Sequence, residues 1–303
     1  MLRISRRAVL LAAVGAGLAA CSKAKASSTD PNATAQLPIP SPASSGTPSP
    51  SPSIDARPRW PLTGKLLKDE SKARHIAVAV KVPDNRREHP QHGIDEADIV
   101  FVELEGYKDA SGYSGTRLVP VFHSHLADAV EPVRSIRPVD IPLLSPMNAL
   151  IGNTGAAPWV INYVKHNRAH LKGTLSYMNM RGTGSYGTDP SRVYTYKGRT
   201  YYDRAITCHP KLLARQTKRF GSGPPQPYFP FASTRKEVSA ASGKRGRSIK
   251  IPYKGNGYFM GYSYDKKTKR YQPTLAGGSP FKMAPGQTFV ELPDTHAKIR
   301  IEA

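Results

Sequence analysis

Three apolar runs decide the fold: HIAVAVKV at residues 75–82, ADIVFVEL at residues 97–104 and RLVPVFH at residues 117–123. Each run is short and rich in β-branched or aromatic side chains, a composition typical of strands. Apolar residues follow one another within each run, a pattern that indicates burial within a core. We therefore expect three buried strands.

Strand-like and helix-like segments alternate after these runs. Residues 148–153 predict a fourth strand, and the apolar spacing of residues 158–171 predicts a helix. A second helix is expected within residues 204–220, with Pro210 near its start because proline favours the first turn. This alternation predicts an α/β or α+β main domain, which we place at residues 61–225.

The chain changes character after that domain and predicts a smaller β-rich C-terminal domain at residues 226–303. Strand-like runs occupy residues 248–253, 257–264 and 288–292. The charged stretch at residues 265–270 has the composition of a turn, which favours a hairpin there.

The first 21 residues predict a lipoprotein signal peptide. Arginines precede an apolar run of about a dozen residues, which is too short to span a bilayer. The run ends Leu18-Ala19-Ala20-Cys21, a lipobox whose cysteine would be acylated; an ordinary secretory signal is the alternative. Lipidation of Cys21 would make the protein extracytoplasmic and anchored to the bacterial cell membrane. Arg6 and Arg7 also match the twin-arginine pattern, so Sec and twin-arginine export both stay open.

Residues 22–60 predict a disordered linker behind this anchor. They are rich in serine, proline, threonine and alanine, with too little apolar surface to offset the entropy of ordering. No later stretch approaches the roughly 18 apolar residues of a membrane-spanning helix. The lipid on Cys21 is therefore the membrane attachment that the sequence predicts.

The chain is strongly basic, with 44 lysines and arginines against 22 acidic residues and a formal charge of +22. Outside the cytoplasm this charge favours phospholipid headgroups or phosphate-bearing cell-wall polymers as partners. The alternative is a charge spread over solvated surfaces with no partner. No nucleic-acid-binding motif is recognisable, and export separates the chain from the chromosome, so nucleic acid is not expected. Nothing in the sequence predicts a cofactor.

A set of short motifs runs through residues 75–230. The set comprises VPDN at 82–85, PQHG at 90–93, ADIV at 97–100, GTR at 115–117, FHS at 122–124 and PVRSIRP at 132–138, followed by Asp203-Arg204, His209 and Leu212. Together these motifs resemble the YerB-like family of bacterial lipoproteins, whose biochemical function is not established. The resemblance implies an envelope lipoprotein.

Two further motifs resemble parts of the C-terminal domain of that family, YSYD at residues 262–265 and PGQTFV at residues 285–290. The resemblance implies several strands between them, whereas about twenty residues separate them here. We therefore expect a shortened or incomplete C-terminal domain.

The motif RSIR at residues 134–137 is the sharpest candidate site. In an extended or tightly turned segment, Arg134 and Arg137 would converge with Arg117. Guanidinium groups bind carboxylate or phosphate through paired hydrogen bonds, which predicts an anion-binding pocket. Structural ion pairs are the alternative, and both interpretations stay open. Their carboxylate partners would be Asp98, Glu103 or Asp140.

Polar neighbours extend this site. Asn85 and Asp140 are expected to orient the arginines, and Ser135 offers a hydroxyl group. The predicted ligand-binding set comprises Asn85, Arg117, Arg134, Ser135, Arg137, Asp140 and His209.

Binding is the function that the sequence favours, with an anionic envelope component or a protein as the ligand. The competing hypothesis is an extracytoplasmic hydrolase or transferase acting on cell-wall material. Its nucleophile would be Cys208 beside His209, or Ser135 in a triad with His209 and Asp140. A free buried cysteine is the alternative for Cys208. No spacing of histidines or cysteines matches a metal site.

Overall fold

The computed structural model describes residues 57–105, 115–166, 175–218, 223–238, 254–256, 259–261 and 282–292. The predicted signal peptide with Cys21, residues 22–56 of the linker, the strand at 248–253 and the turn at 265–270 lie outside the described residues. No helix within the described ranges combines the length and the apolar character needed to cross a membrane.

The secondary structure is mostly β. The strands are β1 (Val78–Val80), β2 (Val82–Pro83), β3 (Ile99–Leu104), β4 (Thr116–Phe122), β5 (Leu150–Gly152), β6 (Tyr186–Thr188), β7 (Tyr194–Tyr196), β8 (Arg199–Tyr201), β9 (Ile206–Cys208), β10 (Lys254–Asn256), β11 (Phe259–Gly261) and β12 (Thr288–Glu291). The α-helices are α1 (Asp140–Leu144), α2 (Pro158–His166) and α3 (Pro210–Arg215).

A mixed six-stranded sheet holds the fold together. Its order is β12-β3-β4-β1-β5, and β2 follows β1 along the same side of β4. Strand β4 is antiparallel to β1 and β3, whereas β1 and β5 are parallel, as are β3 and β12. The four strands that the sequence predicted in this region are confirmed, and the mixed sheet with few helices confirms an α+β domain.

Apolar side chains cover both faces of this sheet, which is why the predicted runs are continuous. One face carries Ala79, Phe101 and Val119, which pack with residues of α1 and α2; we call it the α1 face. The opposite face carries Val80 and Leu118. It packs with Cys208 of β9 and with Leu213 and Ala214 of α3.

Two parts of the C-terminal region, strand β12 and the segment around Tyr228, join this sheet and its core. Strand β12 lies beside β3, with Thr288 opposite Ile99. Tyr228, Phe229 and Leu292 are buried in the core of the α1 face. Strand β12 covers backbone groups of β3 that would otherwise form an open sheet edge. For the rest of the C-terminal region, the domain boundary at residue 225 stays a prediction. Strands β10 and β11 pair with each other there in antiparallel orientation.

The sequence did not predict the four short strands β6 to β9. Strands β7 and β8 form a hairpin, and β6 pairs with β9. Because β9 occupies part of the helix expected at residues 204–220, α3 begins only at Pro210. This start agrees with the expectation that proline favours the first helical turn.

Candidate functional site

At one end of the central strands, the buried side chains change from apolar to charged. On the α1 face, side chains alternate along each strand, so Lys81 follows Ala79 and Glu103 follows Phe101. Arg117 lies directly opposite Glu103 in the register of β3 and β4. All three charged residues are buried, which places a polar network at the end of the hydrophobic core.

The segment that carries the RSIR motif lies across this end of the strands in an extended arrangement. The backbone N–H of Arg134 donates to the carbonyl oxygen of Lys81 at 2.8 Å. The N–H of Thr154 donates to the carbonyl oxygen of Arg134 at 3.0 Å, and the N–H of Ile136 to that of Gly155 at 3.0 Å. These bonds fix residues 134–136 between the ends of β1 and β5.

Arg117, Arg134 and Arg137, which we call the arginine cluster, are close enough for their charges to interact. Burial lowers the pKa of Arg117; the carboxylate of Glu105 opposes this, and repulsion from Arg137 and Arg134 adds to it. The structure thus brings together the three arginines that the sequence singled out.

Arg117 is the most deeply buried member of the arginine cluster, with a side chain 8% exposed. Its Nη2 lies 2.7 Å from Oε1 of Glu105. Its Nε and Nη1 are buried and have no hydrogen-bond partner among the described residues. Buried donors are normally satisfied, so the three N–H groups on these two nitrogens lack the acceptors that buried donors usually have.

Arg134 is ion-paired, as the alternative interpretation requires, but with other carboxylates than those expected. Its Nη2 donates to the carboxylate of Glu88 and lies 3.1 Å from Oδ2 of Asp203. Asp98 lies instead at the opposite end of the strands, just before β3, where it accepts hydrogen bonds from Ser124. Arg134 therefore has both a structural and a candidate binding role.

A fully buried lysine lies beneath the arginine cluster. Nζ of Lys81 donates to Glu103 and, at 2.9 Å, to Oδ1 of Asp140. Burial raises the pKa of Glu103 to about 8, and the charge of Asp140 adds to this, while Lys81 opposes it. Asp140 also accepts the backbone N–H of Arg137 at 2.6 Å, so it positions that backbone.

The remaining predicted site residues differ in their relation to the cluster. Ser135 Oγ lies 3.4 Å from Thr154 Oγ1, beside the arginines in the chain. Asn85 is exposed, and its carbonyl oxygen accepts the N–H of Glu88 at 2.8 Å. His209 immediately precedes α3, where its Nδ1 is 2.7 Å from the carbonyl oxygen of Asp128. No hydrogen bond in the described ranges joins His209 to the arginine cluster.

The structure does not assemble the candidate nucleophiles. Cys208 is completely buried, and burial raises the pKa of its thiol far above the ordinary value. A neutral buried thiol is a poor nucleophile. Ser135 contacts Thr154, and Asp140 contacts Lys81. The catalytic triad of Ser135, His209 and Asp140 is therefore not formed.

A groove adjoins the arginine cluster, with a cavity volume of about 460 Å³. It is lined by Arg87, Glu88, His89, Pro90, His92, Asp189, Ser191, Arg192, Val193, Tyr194 and Arg204. Glu88 connects the groove to the arginine cluster, because it lines the groove and pairs with Arg134. Cζ of Arg204 lies 4.1 Å from the centroid of the Tyr194 ring. The sequence missed this groove because its two walls are about one hundred residues apart.

His123 follows β4 at the opposite end of the strands and is fully buried. Its Nε2 lies 3.1 Å from the carbonyl oxygens of both Ala73 and His75. The Trp60 ring packs edge-on at a centroid distance of 5.3 Å. Burial, together with a smaller contribution from the neighbouring His75, lowers the pKa of His123 to about 4.

Acid is expected to destabilise the protein through His123. The unfolded histidine binds a proton near pH 6.5 and the folded one near pH 4, so stability present above pH 6.5 is lost as the pH falls to 4. The free-energy difference between wild type and His123→Phe should shrink by about 3 kcal/mol between pH 7 and pH 4. Chemical denaturation measures it, with His125→Phe, at a side chain 62% exposed, as the matched control. A difference that is constant over this range contradicts the prediction.

Comparison with known proteins gives three findings. Residues 62–207 match the family model described as "Protein of unknown function (DUF3048) N-terminal domain". A Bacillus subtilis (strain 168) protein described as "Putative lipoprotein YerB" is 26% identical over 221 residues. That alignment covers 72% of this chain and 60% of the relative, so the chain spans about three fifths of the relative's length.

The third finding is structural. The crystal structure of the YerB protein from Bacillus subtilis matches with a TM-score of 0.56 and 14% sequence identity. The match covers 78% of this chain and 97% of that chain. At this level of identity, the match shows a shared fold.

Proposed function

We propose, from the premise that this chain belongs to the YerB-like family, that it is a lipid-anchored extracytoplasmic protein whose arginine cluster binds an anionic envelope ligand. The anchor is supported by the lipobox that ends at Cys21 and by the relative described as a putative lipoprotein. The ligand is a phosphate- or carboxylate-bearing component of the envelope, or a protein that presents such a group.

The buried guanidinium of Arg117 is the observation that carries the binding proposal. Two of its three nitrogens have no hydrogen-bond partner among the described residues, although its side chain is 8% exposed. Positive charges of Arg134 and Arg137 act on it, so an anion placed there would relieve repulsion as well as accept hydrogen bonds. The hydroxyl groups of Ser135 and Thr154 supply uncharged donors beside the cluster.

Binding of inorganic phosphate tests this proposal. Arg117→Met keeps most of the apolar stem but removes the charge and the donors, so it should weaken phosphate binding roughly ten- to a hundredfold. Isothermal titration measures the affinity, and a thermal melt shows that the variant is folded. Arg235→Met removes an exposed arginine elsewhere and should leave the affinity unchanged. Equal affinity in Arg117→Met and wild type contradicts the proposal.

The anchor has its own test. Cys21→Ala should abolish incorporation of a fatty-acid analogue and shift the protein from the membrane fraction, because the acceptor thiol is gone. Metabolic labelling of cells expressing each form measures this. The matched control is Cys208→Ala, which removes a buried thiol and should leave labelling intact. Equal labelling of Cys21→Ala and wild type would exclude Cys21 as the acylated residue.

A further inference from the structure

The hairpin of β7 and β8 carries an unusual set of exposed side chains. Its turn, Lys197 and Gly198, has positive φ at both positions, 49° and 70°, the geometry of a tight two-residue hairpin. Tyr196 is 59% exposed. Tyr202, which follows the hairpin, is 58% exposed. Side chains alternate along a strand, so Tyr196 shares one face of the hairpin with Tyr194, Arg199 and Tyr201, and this aromatic face indicates an interaction surface.

Aromatic and cationic groups alternate over this hairpin. Tyr194 and Tyr201 are cross-strand partners whose rings stack at 5.1 Å with an interplanar angle of 13°. Arg199 lies over the Tyr201 ring at 5.8 Å, and Lys197 over the Tyr196 ring at 5.5 Å. These cation–π contacts hold charged groups beside flat aromatic faces.

The hairpin is continuous with the groove. Tyr194, at the start of β7, lines the groove, and Arg204 packs on its ring. The Nε of Arg204 is buried without a hydrogen-bond partner in the described ranges. A ligand that extends from the groove along the hairpin would thus contact first the arginines that line the groove and then the tyrosine rings of the hairpin, with Lys197 and Arg199 among them.

We propose that this hairpin binds an anionic polysaccharide, with a sugar ring on Tyr196 and the charged substituents on Lys197, Arg199 and the groove arginines. Apolar ring faces of sugars pack on aromatic side chains, and the phenol hydroxyl suits their hydroxyl groups. The inference rests on the proposed function in one respect, namely that the ligand is an anion.

The composition of the hairpin favours a glycan over a lipid bilayer. Its exposed strand residues are tyrosine, threonine and arginine, and Thr195 and Thr200 face each other across the strands. A surface that inserts into a membrane interface presents leucine, phenylalanine or tryptophan, and none of these lies in β7 or β8.

Four probes test the proposal with full-length protein. They are polygalacturonate, which has both rings and charge; neutral dextran; polyphosphate, which has charge without rings; and phosphatidylglycerol vesicles. The variant Tyr196→Ala should bind polygalacturonate at least about tenfold more weakly than wild type, with little change for polyphosphate. Dextran should bind neither protein measurably. Tyr163→Ala, on α2 at 41% exposure, is the matched control and should leave polygalacturonate affinity unchanged.

Several results would overturn the inference. They are undiminished polygalacturonate binding by Tyr196→Ala, equal losses for polygalacturonate and polyphosphate, no polygalacturonate binding by wild type, or vesicle binding as the property that Tyr196 supports. Phosphate titration of Arg117→Met reports separately on the arginine cluster. Tyrosine-dependent glycan binding with unaltered phosphate affinity in Arg117→Met would retain the hairpin site and remove the proposed cluster site.

Discussion

Lys81→Met is expected to lower the free energy of unfolding by about 3–5 kcal/mol. Lys81 is fully buried and is the shared partner of the carboxyl groups of Glu103 and Asp140. Methionine preserves the unbranched shape of the side chain but leaves the two acidic groups together without a cation. Removing one partner of a buried ionic network is costly because the remaining charge has no water to solvate it.

Chemical denaturation at several pH values measures this effect and its origin. In wild type the pKa of Glu103 is raised from 4.5 to about 8, so stability present at low pH is lost as the pH rises through 8. Lys81 holds that pKa down, so its removal should raise the pKa of Glu103 further, and the penalty of Lys81→Met should be larger at pH 9 than at pH 6. Lys68→Met, at an exposed lysine, is the matched control. A loss below about 1 kcal/mol would show that Lys81 does not hold this network together.

Phe101→Ala is the second large effect, with an expected loss of about 3–5 kcal/mol. Phe101 is 1% exposed in the middle of β3, and its ring packs edge-on against Tyr228 at a centroid distance of 5.3 Å. Alanine would leave a cavity between the sheet and the segment at residues 226–229. Denaturant unfolding measures the loss, and Phe289→Ala, at a side chain 61% exposed, is the matched control.

A double-mutant cycle then tests whether the C-terminal segment is part of the same core. Phe101→Leu and Tyr228→Leu should be coupled by about 0.5–1.5 kcal/mol, the usual range for an aromatic pair. Additive effects would contradict the contact between the main sheet and the residues after 225.

The central strands could be predicted because their pattern is local. Residues 97–104 and 117–123 are continuous apolar runs, and they form β3 and β4, buried on both faces. The sequence also predicted strand β12, as the strand-like run at residues 288–292. It did not predict the place of β12 beside β3, because that pairing joins positions about 190 residues apart. Local patterns indicate strands but carry little information about their long-range partners.

The candidate site shows the same difference between local patterns, which could be predicted, and long-range contacts, which could not. Arg117, Arg134 and Arg137 were recognisable from their chemistry and motif, but the partners of Arg134 lie 46 and 69 positions away. Lys81 was the local signal that went unused, since a lysine inside an apolar strand requires a buried partner. Its carboxylate partners emerge only when β1, β3 and α1 meet.

Anomalous diffraction from crystals soaked in tungstate, an oxyanion with a strong signal, tests the central claim most directly. We expect a peak within hydrogen-bond distance of Arg117, enclosed by Arg134 and Arg137, and no such peak in Arg117→Met. Peaks confined to other surfaces, or an equal peak in the variant, would contradict the assignment of the arginine cluster as an anion site.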